Sequence, residues 1–176
     1  MLNDVKEILI NEKEILSIIK GMGAKITNDY QGKDLVLIGV LKGAAPFMMD
    51  LIKEIKLPIQ IDFMQISSYE GTKSGQLKLK KDIDVDVEGK DVLIVDDIVD
   101  TGKTSSMITE LFKERKAKSI EFATLLDKKE NRVVDFEPKY VGQVIPNLFV
   151  IGYGLDFNEK YRNLPFIGIL KEELYK

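Results

Sequence analysis

The chain contains no cysteine, no histidine and no tryptophan among its 176 residues, and these absences exclude several kinds of catalytic site. Without cysteine there is no disulfide, no thiolate metal site and no cysteine nucleophile. Without histidine there is no Ser-His-Asp hydrolysis, no histidine-ligated zinc and no imidazole acid–base catalysis. Any proton transfer must therefore use Asp, Glu, Lys or Tyr. Any metal site must use oxygen ligands, which favours Mg²⁺.

Long hydrophobic runs and strong net charge are also absent. No apolar run approaches the length that crosses a membrane, and the first residues lack the basic-then-apolar pattern of a signal peptide. The net charge of −3 gives no global basic field that would attract nucleic acid or an anionic membrane. We therefore expect a cytoplasmic protein with neither of these partners, and the length predicts one domain over 1–176.

Apolar runs alternate with helical patterns along the chain, which predicts an α/β fold with a mostly parallel sheet. A helix over 11–22 is expected to stop at Gly21 and Gly23, and Pro46 predicts the start of another helix that ends at residue 55. The polar stretch 67–81 predicts a long loop or a β-hairpin that acts as a lid. Strands are predicted at 35–41, 59–66, 92–95, 119–126, 148–152 and 166–170, and a third helix at 104–116.

Residues 92–104 form the most informative motif. Four apolar residues are followed by Asp96, Asp97 and Asp100, and then by a Thr-Gly-Lys-Thr turn at 101–104. The carboxyl end of a parallel strand is where open α/β sheets bind ligands. Neighbouring acids repel one another and need a cation or donors, whereas the amides and hydroxyls at a helix start bind an anion. The motif predicts a site for a phosphorylated, hydroxyl-bearing ligand with a divalent metal.

The end of this motif looks like a P-loop, but the spacing excludes one. A P-loop requires a glycine five residues before Gly102, and that position is occupied by Asp97. A carboxylate there would repel a triphosphate held by backbone amides. The nucleoside-triphosphate interpretation is therefore rejected.

The motif resembles the 5-phosphoribosyl-1-diphosphate (PRPP) binding motif of the type I phosphoribosyltransferases. Further blocks follow in order at 41–44 (Leu-Lys-Gly-Ala), at Ser68-Tyr69, at Lys128 and from Phe149 to Arg162. Together, from about 35 to 162, they are similar to those of the hypoxanthine-guanine phosphoribosyltransferases. The resemblance implies the type I phosphoribosyltransferase fold, with a mostly parallel central sheet flanked by helices. It implies a core at about 35–135, a small hood from about 1–20 and 140–176, and a flexible loop at about 67–81.

The resemblance assigns the PRPP side of the site to the motif. Asp96 and Asp97 would bind the ribose hydroxyls and Mg²⁺. Asp100 would be the general base that takes the proton from purine N7. The ribose and the 5′-phosphate would be held by Asp96, Asp97, Asp100, Thr101, Gly102, Lys103 and Thr104.

The resemblance also assigns the pyrophosphate and purine sides. Pyrophosphate would bind to Lys42 and Gly43, in a loop that carries a cis peptide in the family, and to Arg162 of the C-terminal segment. Ser68 and Tyr69 of the flexible loop would close over the reaction centre. The purine side would consist of Lys128 at the 6-oxo group, Phe149 stacked on the ring, Val150 with its main chain at the base edge, and Asp156, which would also hold a second Mg²⁺.

The activity that the resemblance implies is purine salvage. The enzyme would transfer 5-phosphoribosyl from PRPP to hypoxanthine or guanine, giving IMP or GMP and pyrophosphate, as a homodimer or homotetramer. Two alternatives remain open: a PRPP-sensing regulator that binds nucleic acid, and a transferase that prefers xanthine. The first predicts a basic face, which the net charge does not suggest. The second cannot be separated by sequence, because backbone carbonyls largely read the purine 2-position.

Overall fold

The computed structural model describes residues 1–68 and 77–176, which form two β-sheets and three α-helices. The helices are α1 (Glu12–Asp29), α2 (Ala45–Glu54) and α3 (Lys103–Glu114). The strands are β1 (Val5–Ile10), β2 (Leu35–Leu41), β3 (Gln60–Ser68), β4 (Leu77–Lys81), β5 (Asp91–Val99), β6 (Ser119–Asp127), β7 (Tyr140–Val144), β8 (Val150–Ile151) and β9 (Ile167–Leu170).

The larger sheet has the strand order β4-β3-β2-β5-β6-β7 and is parallel except for β4, which runs antiparallel to β3. The smaller sheet has the order β1-β9-β8 and is antiparallel. The predicted α/β fold with a mostly parallel sheet is confirmed. None of the helices in the described residues is both long and apolar enough to cross a bilayer.

The central strands are continuous apolar runs because both faces of the larger sheet are covered. Along β2, Leu35 and Leu37 face the core that α1 and α2 cover, whereas Val36 and Ile38 face the core beneath α3. Side chains of a strand alternate between faces, so a run that is apolar at every position fits only a strand between two layers. The two layers hold β2 and β5 side by side at the centre of the sheet.

Helix α1 does not stop at Gly21 and Gly23, so that prediction is wrong. The helix continues to Asp29, and its apolar face extends to Ile26, which is fully buried. A Cβ on Gly23 would lie 2.4 Å from the Cβ of Glu54 in α2. Gly23 is therefore a close-approach position between two helices rather than a helix end.

Strand β5 is longer than the predicted 92–95 and includes the adjacent acids. It pairs with β6 as far as Val99 opposite Asp127, so Asp96 and Asp97 lie within a strand and not after it. The short strands β1 and β7 were not predicted, and β7 joins the larger sheet beside β6. The stretch 67–81, predicted as a long loop or a β-hairpin, includes the end of β3 and all of β4, and these two strands pair antiparallel as the hairpin alternative requires.

Candidate active site

Two cavities open where the central strands end, one on each side of Asp100. The first, here called the α3 cavity, has a volume of about 380 Å³ and is lined by residues from the end of β5 to the start of α3. The second, the small-sheet cavity, has a volume of about 250 Å³ and reaches Phe149 and Val150 beside the smaller sheet. Asp100 and Ile98 line both cavities. This acid therefore stands at the junction of two binding spaces.

The α3 cavity contains the start of a helix, which is suited to an anion. Thr101, Gly102 and Thr104 line the cavity together with Ser105, a buried hydroxyl that the sequence analysis did not identify. Gly102 caps α3 with a positive φ of 80°, and a Cβ there would lie 2.7 Å from the Cδ of Arg132. The free amides of the first helical turn carry partial positive charge, so they favour a phosphate.

Lys103 is the first residue of α3, but its side chain is exposed and does not line the α3 cavity. The amide of Lys103 does face the turn, where it donates weakly to the Thr101 hydroxyl at 3.5 Å. The structure thus brings the predicted anion-binding turn together through its backbone. The positive charge expected from Lys103 lies outside the cavity.

The adjacent acids of β5 line different cavities, with Asp96 in the α3 cavity and Asp97 in the small-sheet cavity. Burial raises the pKa of Asp96 well above its ordinary value, and the negative charge of Asp97 raises it further. Burial also raises the pKa of Asp97, although the amide of Ile98 donates to its carboxylate at 2.9 Å. A buried pair that resists double ionisation is stabilised by a cation.

A metal at this pair would need ligands from outside the protein. The described residues contain no group of three or more acidic side chains that could hold a metal ion by themselves. Mg²⁺ commonly binds one or two carboxylates and takes its other oxygen ligands from substrate and water. The donor set at Asp96 and Asp97 fits that arrangement.

The loop after β2 is fixed between two other segments of the chain. The Leu41–Lys42 peptide bond is cis, as the family resemblance implies. A Cβ on Gly43 would lie 1.7 Å from Oδ2 of Asp97, and a Cβ on Gly154 would lie 1.9 Å from the carbonyl oxygen of Gly43. Only residues without side chains at both glycine positions allow this contact, so the loop, β5 and the 152–155 turn form one interlocked unit.

Two basic side chains that were predicted to bind pyrophosphate lie close to this loop. Lys42 donates to Glu159 at 2.7 Å, and Arg162 pairs with the same carboxylate at 3.3 Å and with Asp156 at 3.0 Å. Arg162 also donates to the carbonyl of Gly154 at 2.7 Å. Its Nε is buried without a partner in the described part of the chain. The cluster holds basic donors close to the loop, each paired with an acceptor of the chain apart from the buried Nε. Glu159, which no sequence motif marked, lies between them.

The Asp100 side chain is held by the segment that follows β6. Lys128 Nζ lies 3.7 Å from Oδ2 of Asp100, and Asn131 Nδ2 donates to Oδ1 at 2.8 Å. Arg132 donates to the main-chain carbonyl of Asp100 and pairs with the buried Asp127. Asn131 and Arg132 carry no recognisable motif, because they act only through contacts that the fold creates.

Phe149 and Val150 both line the small-sheet cavity. The Phe149 ring stacks on Tyr175, with centroids 4.7 Å apart and planes inclined by 22°, and Tyr175 does not line the cavity. The amide of Leu170 bonds to the Phe149 carbonyl, while Val150 lies opposite Ile169. In an antiparallel pair this pattern makes Val150 a non-hydrogen-bonded position, so its own N–H and C=O point away from β9.

One predicted part of the site falls outside the described residues. Tyr69 lies there, as does most of the predicted flexible loop, and only the backbone of Ser68 is described, at the end of β3. The remaining predicted residues lie around the two cavities or the loop after β2.

Comparisons with known proteins identify the family to which the chain is similar. A family model described as phosphoribosyl transferase domain matches residues 4–158. The hypoxanthine-guanine phosphoribosyltransferase of Staphylococcus aureus (strain Mu50 / ATCC 700699) is 54% identical over 177 residues, covering 99% of each chain.

Solved structures show the same relationship. The crystal structure of a hypoxanthine phosphoribosyltransferase from Staphylococcus aureus superposes with a TM-score of 0.96 at 54% identity, covering 100% of this chain and 97% of that one. A hypoxanthine phosphoribosyltransferase from Trypanosoma cruzi, in complex with the product IMP, superposes with a TM-score of 0.93 at 41% identity, covering 98% and 97%. The chain therefore belongs to the hypoxanthine-guanine phosphoribosyltransferases, within the phosphoribosyl transferase domain family.

Proposed function

We propose that the protein transfers the 5-phosphoribosyl group of PRPP to hypoxanthine or guanine, forming IMP or GMP and releasing pyrophosphate. The observation that carries this proposal is the position of Asp100, which lines both the α3 cavity and the small-sheet cavity. A bond between a phosphorylated sugar in one cavity and a base in the other must form at their junction. The Trypanosoma cruzi relative, which was solved with the product IMP, supports the same reaction.

The proposed PRPP site combines the start of α3, which favours an anion, with the carboxylates of Asp96 and Asp97 in β5. The amides of Thr101, Gly102 and Thr104 would hold the 5′-phosphate, with the buried Ser105 hydroxyl in the same cavity. Asp96 and Asp97 would accept the ribose hydroxyls. Lys103 would contribute its backbone amide, because its side chain lies outside the cavity.

Pyrophosphate would bind at the loop after β2. Lys42, Gly43 and Arg162 surround this place, and Arg162 would supply two parallel donors of its guanidinium to a phosphate. Glu159 now pairs with both basic side chains, and Arg162 also bonds to Asp156 and to the Gly154 carbonyl, so pyrophosphate must displace Glu159 from Lys42 and compete with these acceptors for Arg162. Glu159 is exposed, and such ion pairs contribute little stability, so the exchange costs little.

The purine side matches a 6-oxopurine. The N7 and O6 atoms of such a base lie next to each other on one edge, and the neighbouring Asp100 carboxylate and Lys128 ammonium present an acceptor and a donor to that edge. Lys128 would donate to O6, while Asp100 takes the proton from N7. Phe149 would stack on the ring, and the main chain of Val150 would face the base edge. Adenine carries a donor at position 6, so Lys128 disfavours it.

Mg²⁺ fits the carboxylate oxygens of Asp96 and Asp97, because their burial as a pair disfavours two unscreened charges. Asp156 would hold a second ion, partly through water. When bound, Mg²⁺ offsets negative charge on the departing pyrophosphate. The chain itself contributes the fixed positions of these oxygens, since Asp97 is locked against Gly43.

Departure of pyrophosphate leaves positive character on the ribose C1, as in glycoside cleavage, so water must be kept away. We propose that the smaller sheet with its adjoining segments is the hood over the base, and that Ser68 and Tyr69 close the other side. Assembly as a homodimer or homotetramer and a cytoplasmic location stay predictions of the sequence analysis.

The direct test is an assay of purified protein with PRPP, Mg²⁺ and each of hypoxanthine, guanine, xanthine, adenine and uracil. We expect pyrophosphate and nucleotide from hypoxanthine, guanine or both, and none when EDTA replaces Mg²⁺. A faster reaction with xanthine would identify the xanthine-preferring alternative. If no base yields pyrophosphate, the enzyme proposal is wrong, and binding of labelled PRPP with RNA or DNA would then test the regulatory alternative.

A further inference from the structure

We propose that Asn131 is a positioning residue that orients the Asp100 carboxylate for its reaction with purine N7. The proposal rests on the function proposed above, in which Asp100 is the base. Its observation is the hydrogen bond from Asn131 Nδ2 to Asp100 Oδ1, at 2.8 Å in a partly buried setting. Asn131 lies 31 positions away in the sequence, and no motif marks it.

The two oxygens of Asp100 have different surroundings. Oδ1 accepts a hydrogen bond from the side-chain amide of Asn131, whereas the Lys128 ammonium lies 3.7 Å from Oδ2. Oδ2 is therefore the oxygen left for the base, on the side where Lys128 would meet O6. The carboxylate torsion of Asp is broad and has no strong preference of its own, so an external donor is needed to select one orientation.

The other charged groups around Asp100 do not replace Asn131. Arg132 bonds only the main-chain carbonyl of Asp100, and its charge is paired with Asp127. Asp96 and Asp97 line the two adjacent cavities, and an ionised carboxylate there has no hydrogen to donate to Asp100. The side chain of Lys103, on α3, is exposed and lies outside the α3 cavity.

Without the Asn131 donor, the Asp100 carboxylate is free to turn toward Lys128. The 3.7 Å between Lys128 Nζ and Asp100 Oδ2 would shorten to a direct, hydrogen-bonded ion pair. This pair would occupy both the acceptor that N7 needs and the donor that O6 needs. The purine would then meet a neutralised pair. We therefore expect a lower reaction rate and a lower affinity for the purine, with the affinity for PRPP unchanged.

The segment that carries Asn131 does not depend on its side chain. The main-chain N–H of Asn131 donates to the carbonyl of Lys128 at 3.0 Å, and the main-chain N–H of Val133 donates to the carbonyl of Thr101 at 3.1 Å. Arg132 Nε adds a bond to the carbonyl of Phe136 at 2.9 Å. None of these bonds uses the Asn131 side chain, so that side chain can be replaced while the turn is kept.

The experiment compares Asn131→Leu, which keeps the size but removes the donor, with Asn131→Gln, which retains an amide. Glu130→Ala is the matched control, because Glu130 is exposed in the same short turn. We expect the single-turnover rate of nucleotide formation to fall about tenfold in Asn131→Leu, because misorienting a base loses part of the 10²–10⁴-fold that a base supplies. PRPP affinity should change by less than about twofold, Asn131→Gln should recover part of the rate, and Glu130→Ala should match the native protein.

A double-mutant cycle shows whether the effect passes through Asp100. In an Asp100→Ala background, assayed with labelled PRPP for sensitivity, adding Asn131→Leu should change the rate by less than about twofold. An unchanged single-turnover rate in Asn131→Leu would overturn the proposal. So would an equal fractional loss in both backgrounds, or a loss of PRPP affinity as large as the loss of rate. Failure of the enzyme proposal is distinguishable, since then the native protein itself forms no nucleotide.

Discussion

Replacing Gly43 with alanine is the sharpest test of the interlocked loop. The backbone of Gly43 does not adopt a positive φ, so alanine introduces no conformational strain of that kind. Its only effect is steric: the added Cβ would lie 1.7 Å from Oδ2 and 2.6 Å from Cγ of Asp97. The substitution therefore pushes apart the loop after β2 and the Asp97 carboxylate, which we propose bind pyrophosphate and Mg²⁺, without changing any charge.

The magnitude follows from that distance. Ordinary contact with a Cβ begins at 3.4 Å, so Asp97 and the loop must separate by about 1.7 Å (3.4 − 1.7). A misplacement of about 1 Å at reacting groups costs about 10²-fold in rate. We expect kcat/KM for PRPP to fall at least that far. Overpacking of this kind costs about 1–3 kcal/mol, so the variant should still fold.

The assay measures pyrophosphate release and PRPP affinity for Gly43→Ala beside Gly21→Ala. Gly21 is the matched control, because it lies inside α1 and an added Cβ meets nothing within 4 Å. Alanine there should raise the free energy of unfolding by about 1 kcal/mol and leave activity unchanged. If Gly43→Ala keeps kcat/KM within about threefold of the native value, the close contact has no functional weight and the reasoning is refuted.

Three further predictions concern the acids and the aromatic stack. Burial raises the folded-state pKa of Asp96 well above its ordinary value of 3.8. Between pH 3.8 and the raised pKa, the native protein therefore binds more protons than the unfolded chain. The free energy of unfolding falls as the pH rises through this interval. Asp96→Asn should flatten this pH dependence and raise the free energy of unfolding near neutral pH, as measured by denaturant titrations over a pH series. The variant should also lose turnover. An equally steep pH profile in the variant would contradict the raised pKa of Asp96. Asp100→Ala should keep PRPP binding by calorimetry but lose about 10²–10⁴-fold in turnover, and near-native turnover would exclude it as the base. Tyr175→Ala should raise KM for the purine up to about tenfold, because Phe149 loses its stacking partner, with PRPP affinity as the internal control.

The elements that could be predicted from sequence are those whose apolar pattern is unambiguous. β2 was predicted to the residue, because a strand buried on both faces reads as an uninterrupted apolar run. β1 and β7 were missed, since both are half exposed and short, and their pattern matches no template. Gly23 was misread because a glycine that ends a helix and one that admits a second helix look identical in sequence.

The site divides in the same way. Asp96, Asp97 and Asp100 could be found because they follow one another along a strand and turn, so local sequence carries the pattern. Asn131 and Glu159 could not, because each touches its partner only after distant segments meet. Functional residues at a fixed local spacing can be predicted from the sequence. Residues that contact them from a distant segment cannot, because the contact exists only in the folded chain.

The smaller sheet joins the two ends of the chain, since β1 pairs with β9. During synthesis, which proceeds from the N-terminus, β1 emerges early and has no partner until residues 167–170 are made. The residues of the α3 cavity, which lie between 40 and 105, are complete long before. We expect a nascent chain to form the phosphate-binding half of the proposed site first and the smaller sheet beside the base last. A chain truncated before β9 would then fail to bind the purine, whereas the half that binds the sugar phosphate would still form.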